Sequence, residues 1–139
     1  MNKYLGLDLG SKTLGISIST SGIIASNLET FRFTEDNYDE PLLYLKDLIH
    51  ENGITHVVLG LPRHMNNDLG IRGEISLNFK EKLETITNVE VILWDERLST
   101  KQAIDTLIQG SVSREKQKKL KDELAATIIL QNYLNSINQ

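Results

Sequence analysis

Two short, unbroken apolar runs, "ITHVVLG" (54–60) and "VEVILW" (89–94), constrain this chain most. A strand with apolar residues on both faces must be covered on both sides, and parallel neighbours need long crossovers, usually helices, between them. Helices of that kind are present. "DEPLLYLKDLIHENG" places Leu42, Leu45, Leu48 and Ile49 at helical spacing, with Gly53 where a C-cap belongs. "GEISLNFKEKLETI" does the same with Ile75, Phe79, Leu83 and Ile86. Ahead of them, "KYLGLDLG", "TLGISIST" and "IIASNLETFRF" read as three strands joined by a Gly-Ser-Lys turn at 10–12 and a turn at Ser21–Gly22. In the second strand Leu14, Ile16 and Ile18 alternate with small or polar residues, the pattern of a half-buried antiparallel strand. Beyond the second apolar run, "TKQAIDTLIQG" predicts a short helix and "QKKLKDELAATIILQNYLNSI" a longer one. The expected fold class is α/β: one mixed five-stranded sheet, strands 1–3 antiparallel and then two parallel strands, flanked by helices.

With 139 residues, two prolines, nine glycines and no low-complexity tract, residues 1–139 are expected to form a single domain. No apolar run approaches the roughly 20 residues of a membrane helix, and the N-terminus lacks the long apolar stretch of a secretory signal. The absence of cysteine rules out disulfides and thiolate metal sites and suits a reducing compartment, so a cytoplasmic protein without membrane contact is expected. A net charge of −4 argues against a protein that coats nucleic acid, but not against an enzyme whose local patches steer phosphates. Aromatics make up only 6% of the chain, so base stacking is not its main means of binding.

Acidic residues interrupt or end the apolar segments at three places: Asp8 inside "GLDLG", Asp95 and Glu96 directly after "VEVILW", and Asp122 and Glu123 at the start of the last helix's apolar face. Each has an ordinary structural reading, as turn chemistry, a helix cap or a favourable charge near a helix start. The end of "VEVILW" is also where open α/β sheets place their ligands. Three carboxylates brought together would repel unless one took up a proton or a cation lay among them. An all-oxygen cluster suits a hard divalent ion such as Mg²⁺ or Mn²⁺. His50, His56 and His64 show no repeated metal-ligand spacing.

Four blocks, in order and spanning essentially the whole chain, resemble the YqgF/RuvX family of the RNase H-like superfamily. They are "GLDLGSKTLGISIS", "VVLGLPRHMNNDLG", "WDERLST" and "KDELAATIILQNYL". The third differs from the family's DERLTT block by Ser99 in place of the first threonine. The resemblance implies an RNase H-like fold and an acidic triad at Asp8, Glu96 and Asp122, which serve as catalytic residues and as ligands of a two-ion Mg²⁺ or Mn²⁺ site. Asp95 would face the other side of the sheet if strand geometry persists to Glu96, because side chains alternate. The implied activity is hydrolysis of a phosphodiester by an endonuclease. Two substrates follow from the family: the 5′ end of pre-16S rRNA in ribosome biogenesis, which the small acidic chain favours, or a four-way Holliday junction in DNA recombination and repair. The second requires a homodimer acting on two opposed strands.

Substrate contacts are expected from Lys12 in the first turn, from Arg63 and Arg72 in a polar loop over 61–73, and from Arg97. Asn66 and Asn67 in that loop make it a candidate flap over structured RNA or DNA. Arg114, Lys116, Lys118, Lys119 and Lys121 form the densest positive run, a solvated helix face or a nucleic-acid contact. Two other classes compete. "DLGSKTLG" also resembles the phosphate-binding turn of actin-like ATPases and sugar kinases, which need two such lobes where this chain supplies one. An inert interaction module would keep the fold without needing all three acids.

Overall fold

The computed structural model describes residues 1–62, 70–96 and 113–139, with the side chains of 114 and 117–123 excluded. The strands are β1 (Tyr4–Leu9), β2 (Thr13–Ser19), β3 (Ser26–Arg32), β4 (His56–Leu61) and β5 (Glu90–Asp95). The helices are α1 (Asp39–Asn52), α2 (Gly70–Ile86) and α3 (Arg114–Ile137). The strands form one sheet in the order β3-β2-β1-β4-β5, antiparallel from β3 to β1 and parallel from β1 through β4 to β5. This is the mixed sheet expected from the two kinds of apolar pattern. The expected helix over 100–110 lies outside the described residues.

Alternation along the strands divides the core in two. Leu5, Leu7, Leu9, Leu14, Ile16, Val57, Leu59 and Val91 face one side and pack against Leu42, Leu45 and Ile49 of α1 and Phe79 and Leu83 of α2. On the other side Tyr4 and Val58 meet Ile129, Leu130 and Leu134 of α3. The α3 side is floored by small residues, and that lets the helix approach closely. A Cβ added at Gly6 would lie 2.6 Å from Leu130 Cβ and 2.8 Å from the carbonyl oxygen of Ala126. Ser17, fully buried across from Gly6, donates its hydroxyl to that same Ala126 carbonyl at 2.7 Å.

Three boundaries differ from expectation in ways that matter for the site. β3 begins at Ser26 rather than at Ile23. Gln131 of α3 instead takes up the preceding segment, bonding the carbonyl of Ile23 and the amide of Ala25. β5 runs through Asp95, and its Ile92–Asp95 stretch is half-buried because it forms an edge of the sheet. α2 begins at Gly70, so Arg72 sits in a helical first turn rather than in a loop. Ile71 is 76% exposed there, so apolar periodicity gives no sign of that first turn. Gly53 closes α1 in the left-handed conformation (φ 63°), with its amide bonded to carbonyls of the last turn, as its place in the sequence predicts.

Candidate active site

Asp8 shares its strand face with Tyr4 and Gly6, so its side chain lies on the α3 side of the sheet. Its cross-strand neighbours leave space around it. Gly15 of β2 is its direct partner, and the parallel register that pairs Leu7 with Leu59 carries Asp8 beside Gly60 of β4. Gly60 in turn pairs with Trp94 of β5. A carboxylate is thus flanked by glycines on both adjacent strands, at the end of the sheet where the parallel strands finish.

Glu96 fills part of that space. Its amide donates to the Leu61 carbonyl at 3.1 Å, extending the β4–β5 ladder one residue past β5. Strand alternation therefore reaches Glu96 and turns its side chain to the face of Ile92 and Trp94, while Asp95 follows Val91 and Leu93 to the opposite face. A Cβ at Gly60 would lie 2.8 Å from Glu96 Oε1 and 2.6 Å from Ile129 Cδ1, so the Glu96 carboxyl rests directly over Gly60, hemmed in by α3.

The Asp8 and Glu96 carboxyls meet and share a hydrogen bond. Burial, followed by the charge of Asp8 and this hydrogen bond, pushes the Glu96 carboxyl up to about 7. Asp95 adds a smaller repulsion, and the positive charge of Arg72 works in the opposite direction. At neutral pH and below the pair is able to hold one proton between them, the Glu96 acid donating to the Asp8 carboxylate. Two half-buried carboxyls that share a proton present oxygen ligands of the kind that hard divalent cations take. Among the described residues no set of three His, Cys, Asp or Glu side chains comes together. The side chain of Asp122 lies outside them. Its backbone is in α3, one turn ahead of Ala126, whose carbonyl lies against Gly6.

The remaining expected contacts divide between described and undescribed residues. Lys12 is exposed in the turn after β1, with its carbonyl bonded by the Phe33 amide at 2.9 Å. Arg72 donates to the Leu9 carbonyl at 2.9 Å and to the Tyr38 hydroxyl at 3.1 Å. Arg63, His64, Asn66, Asn67 and Arg97 lie outside the described residues, as do the side chains of Arg114, Lys118, Lys119 and Lys121. His56 pairs with Glu90 at 3.6 Å, at the opposite end of the strands from Asp8. Sequence reasoning missed Gly15, Gly60 and Tyr38. A glycine on each strand flanking Asp8 is a usable signal, but only once the register is known.

A family model described as "RuvX: Holliday junction resolvase" matches residues 2–136. The chain belongs to the RuvX family. Its relatives agree over nearly their full length. A protein of Onion yellows phytoplasma described as "Putative pre-16S rRNA nuclease" is 53% identical over 137 residues, covering 98% of this RuvX-family chain and 91% of the relative. One of the same description from Staphylococcus aureus (strain bovine RF122) is 48% identical over 139 residues, covering 99% and 98%. Among solved structures, the chain is similar to Thermus thermophilus RuvC in complex with a Holliday junction substrate, with a TM-score of 0.60 at 13% identity over 98% of this chain and 96% of that one. At that identity the likeness establishes the RNase H-like fold. No described helix is long and apolar enough to cross a membrane.

Proposed function

We propose that this RuvX-family protein is a metal-dependent endonuclease that hydrolyses phosphodiester bonds in structured RNA, in maturation of the 5′ end of pre-16S rRNA. The observation that carries the reading is the shared hydrogen bond of Asp8 and Glu96 at the carboxyl ends of β1 and β5. Relatives about half identical over their whole length, described as nucleases of that substrate, support the choice of RNA.

Asp8 and Glu96 hold the ions on this reading, and Asp122 joins them from α3. The register of helix and strand supports that third place. Leu134 and Tyr133 pack near Tyr4, and Leu130 and Ala126 lie against Gly6. α3 thus runs antiparallel to β1. Four helical residues rise about 6 Å and two strand residues about 6.6 Å. One further turn therefore brings Asp122 level with the end of β1, on the helix face that Ala126 presents to the sheet. A divalent ion held there would supply Lewis-acid activation of a water and stabilisation of a departing 3′ oxygen. The protein's own part is to fix the oxygen donors, exclude bulk with glycines and release the shared proton when the site is loaded. Lys12, Arg63 and Arg97 contact substrate phosphates as charges. The protein works as a nuclease of the cytoplasm.

A four-way DNA junction is the second reading, favoured by the description of the family model. It requires a two-fold dimer. The deciding experiment offers a labelled pre-16S fragment and a four-way junction to the wild type and to Asp8→Asn, in Mg²⁺ or Mn²⁺. Cutting of the RNA by wild type alone is the expected result. Cutting of the junction alone transfers the assignment to the second reading, and cutting of neither removes the nuclease.

A further inference from the structure

The turn that follows Asp8 is gripped from outside by residues other than the two acids. Arg72 Nη2 donates to the Leu9 carbonyl at 2.9 Å and Nη1 to Tyr38 Oη at 3.1 Å. Tyr38 Oη donates onward to Asp36 Oδ1 at 3.3 Å. The Asp36 amide then donates to the Ser11 carbonyl at 2.8 Å. Both carbonyls that flank Gly10 are therefore held by one connected set of contacts, reaching from the first turn of α2 through the segment before α1. Asp36 is also the one non-glycine residue with positive φ (61°) among the described residues. That conformation is unfavourable for an L residue, least so for Asp and Asn, and it persists where surrounding contacts hold it. Tyr38 also packs on the core beside Phe33, and the charge of Arg72 reaches Glu96, but neither contact explains why both carbonyls of the turn are bonded.

We propose that Arg72, Tyr38 and Asp36 form a clamp that positions the β1–β2 turn, and with it Asp8 and Lys12, and that Arg72 acts as a positioning residue through its planar fork rather than as a phosphate-binding charge. The proposal rests on the reading of Asp8 as a metal ligand. Guanidinium geometry makes the distinction testable. A lysine keeps the charge but cannot bridge the Leu9 carbonyl and the Tyr38 hydroxyl together.

The test compares Arg72→Lys, Arg72→Gln, Tyr38→Phe, Asp36→Ala and Asp36→Asn with wild type. Its readouts are kcat and KM on the pre-16S fragment, the salt dependence of binding to that RNA in EDTA, and amide hydrogen exchange across Gly10–Thr13. The clamp predicts that Arg72→Lys and Tyr38→Phe lower kcat roughly tenfold, in the range for residues that orient a metal ligand, with KM and the salt slope unchanged. Exchange in the turn quickens about tenfold in both, as for loss of one or two supporting hydrogen bonds. Asp36→Asn, which keeps the acceptor and tolerates the backbone, stays near wild type where Asp36→Ala does not. Wild-type kcat in Arg72→Lys or unchanged exchange in Tyr38→Phe would overturn it, as would a salt slope reduced by about one phosphate contact in the charge-removing Arg72→Gln. If wild type cuts no substrate, the nuclease reading fails, and the exchange data alone still decide whether the clamp exists.

Discussion

The Glu96 carboxyl lies over Gly60 and shares a hydrogen bond with Asp8, two strands away in the sheet, so a carboxyl with a value near 7 is built into the end of β5. This follows from three facts of the backbone. β4 lies between β1 and β5, it carries a glycine at the level of Asp8, and the ladder continues to the amide of Glu96.

The first consequence is a pH dependence of stability in the metal-free protein. Glu96 is raised from 4.5 to about 7 on folding, so the folded state binds more protons than the unfolded state between those values. Its favourable contribution is complete below about 4.5 and is lost as pH rises through about 7. Glu96→Gln cannot ionise, and its stability relative to wild type is expected to rise by about 3 kcal/mol between pH 4 and pH 8. Urea unfolding of both proteins in EDTA across that range measures it, and parallel curves would show that Glu96 titrates normally.

On the proposed reading, divalent ions and protons compete for the same oxygens. Mg²⁺ or Mn²⁺ at a hundredfold excess over its dissociation constant is expected to stabilise the wild type by about 2.7 kcal/mol, and to do so more at pH 8 than at pH 6. Asp8→Asn should lose the effect. Thermal unfolding with and without metal decides it, and an equal gain in the variant would place the ions elsewhere.

Space over the sheet is as specific as the acids. In Gly60→Ala the new methyl would meet Glu96 Oε1 at 2.8 Å and Ile129 Cδ1 at 2.6 Å, driving the carboxyl away from Asp8. The expected outcome is loss of the raised Glu96 value at a small cost in stability, because both atoms met are the ends of flexible side chains. Titration followed by carboxyl NMR reads the second effect, and an unaltered Glu96 would refute the packing argument.

Gly6→Ala acts through α3 instead. Its methyl would lie 2.8 Å from the backbone oxygen of Ala126, and the helix must lift because backbone cannot rotate aside. Stability is expected to fall by at least about 1–3 kcal/mol, and cleavage is expected to fall with it because Asp122 rides on the displaced helix. Ser17→Ala removes the hydroxyl bonded to the same carbonyl while leaving the helix seated, at about 1 kcal/mol with cleavage retained. A Gly6→Ala protein with full activity would separate α3 from the site.

Much of this architecture was legible beforehand. Period-2 and period-3.6 patterns are local, and they led to the meander, the buried β4 and the helices that cover it. The conspicuous acids were legible too, because a carboxylate such as Asp8 inside an apolar strand contradicts its surroundings. Arg72 was harder. Its first helical turn carries the exposed Ile71 and no acidic residue, so neither periodicity nor charge marks it as helix. Tyr38 and Asp36 gave no local sign of function, since their role lies in hydrogen bonds to residues distant in the chain.

The sequence by itself determined the class of fold, the order of the elements and the acids available at the strand ends, because each depends on neighbours within a few residues. Only the tertiary structure brought the Glu96 carboxyl onto Asp8 and decided which glycines make room for it and what holds the turn behind it. Those outcomes depend on sheet register and on where the β5 ladder stops. One residue more or fewer in that ladder would have sent Glu96 to the opposite face.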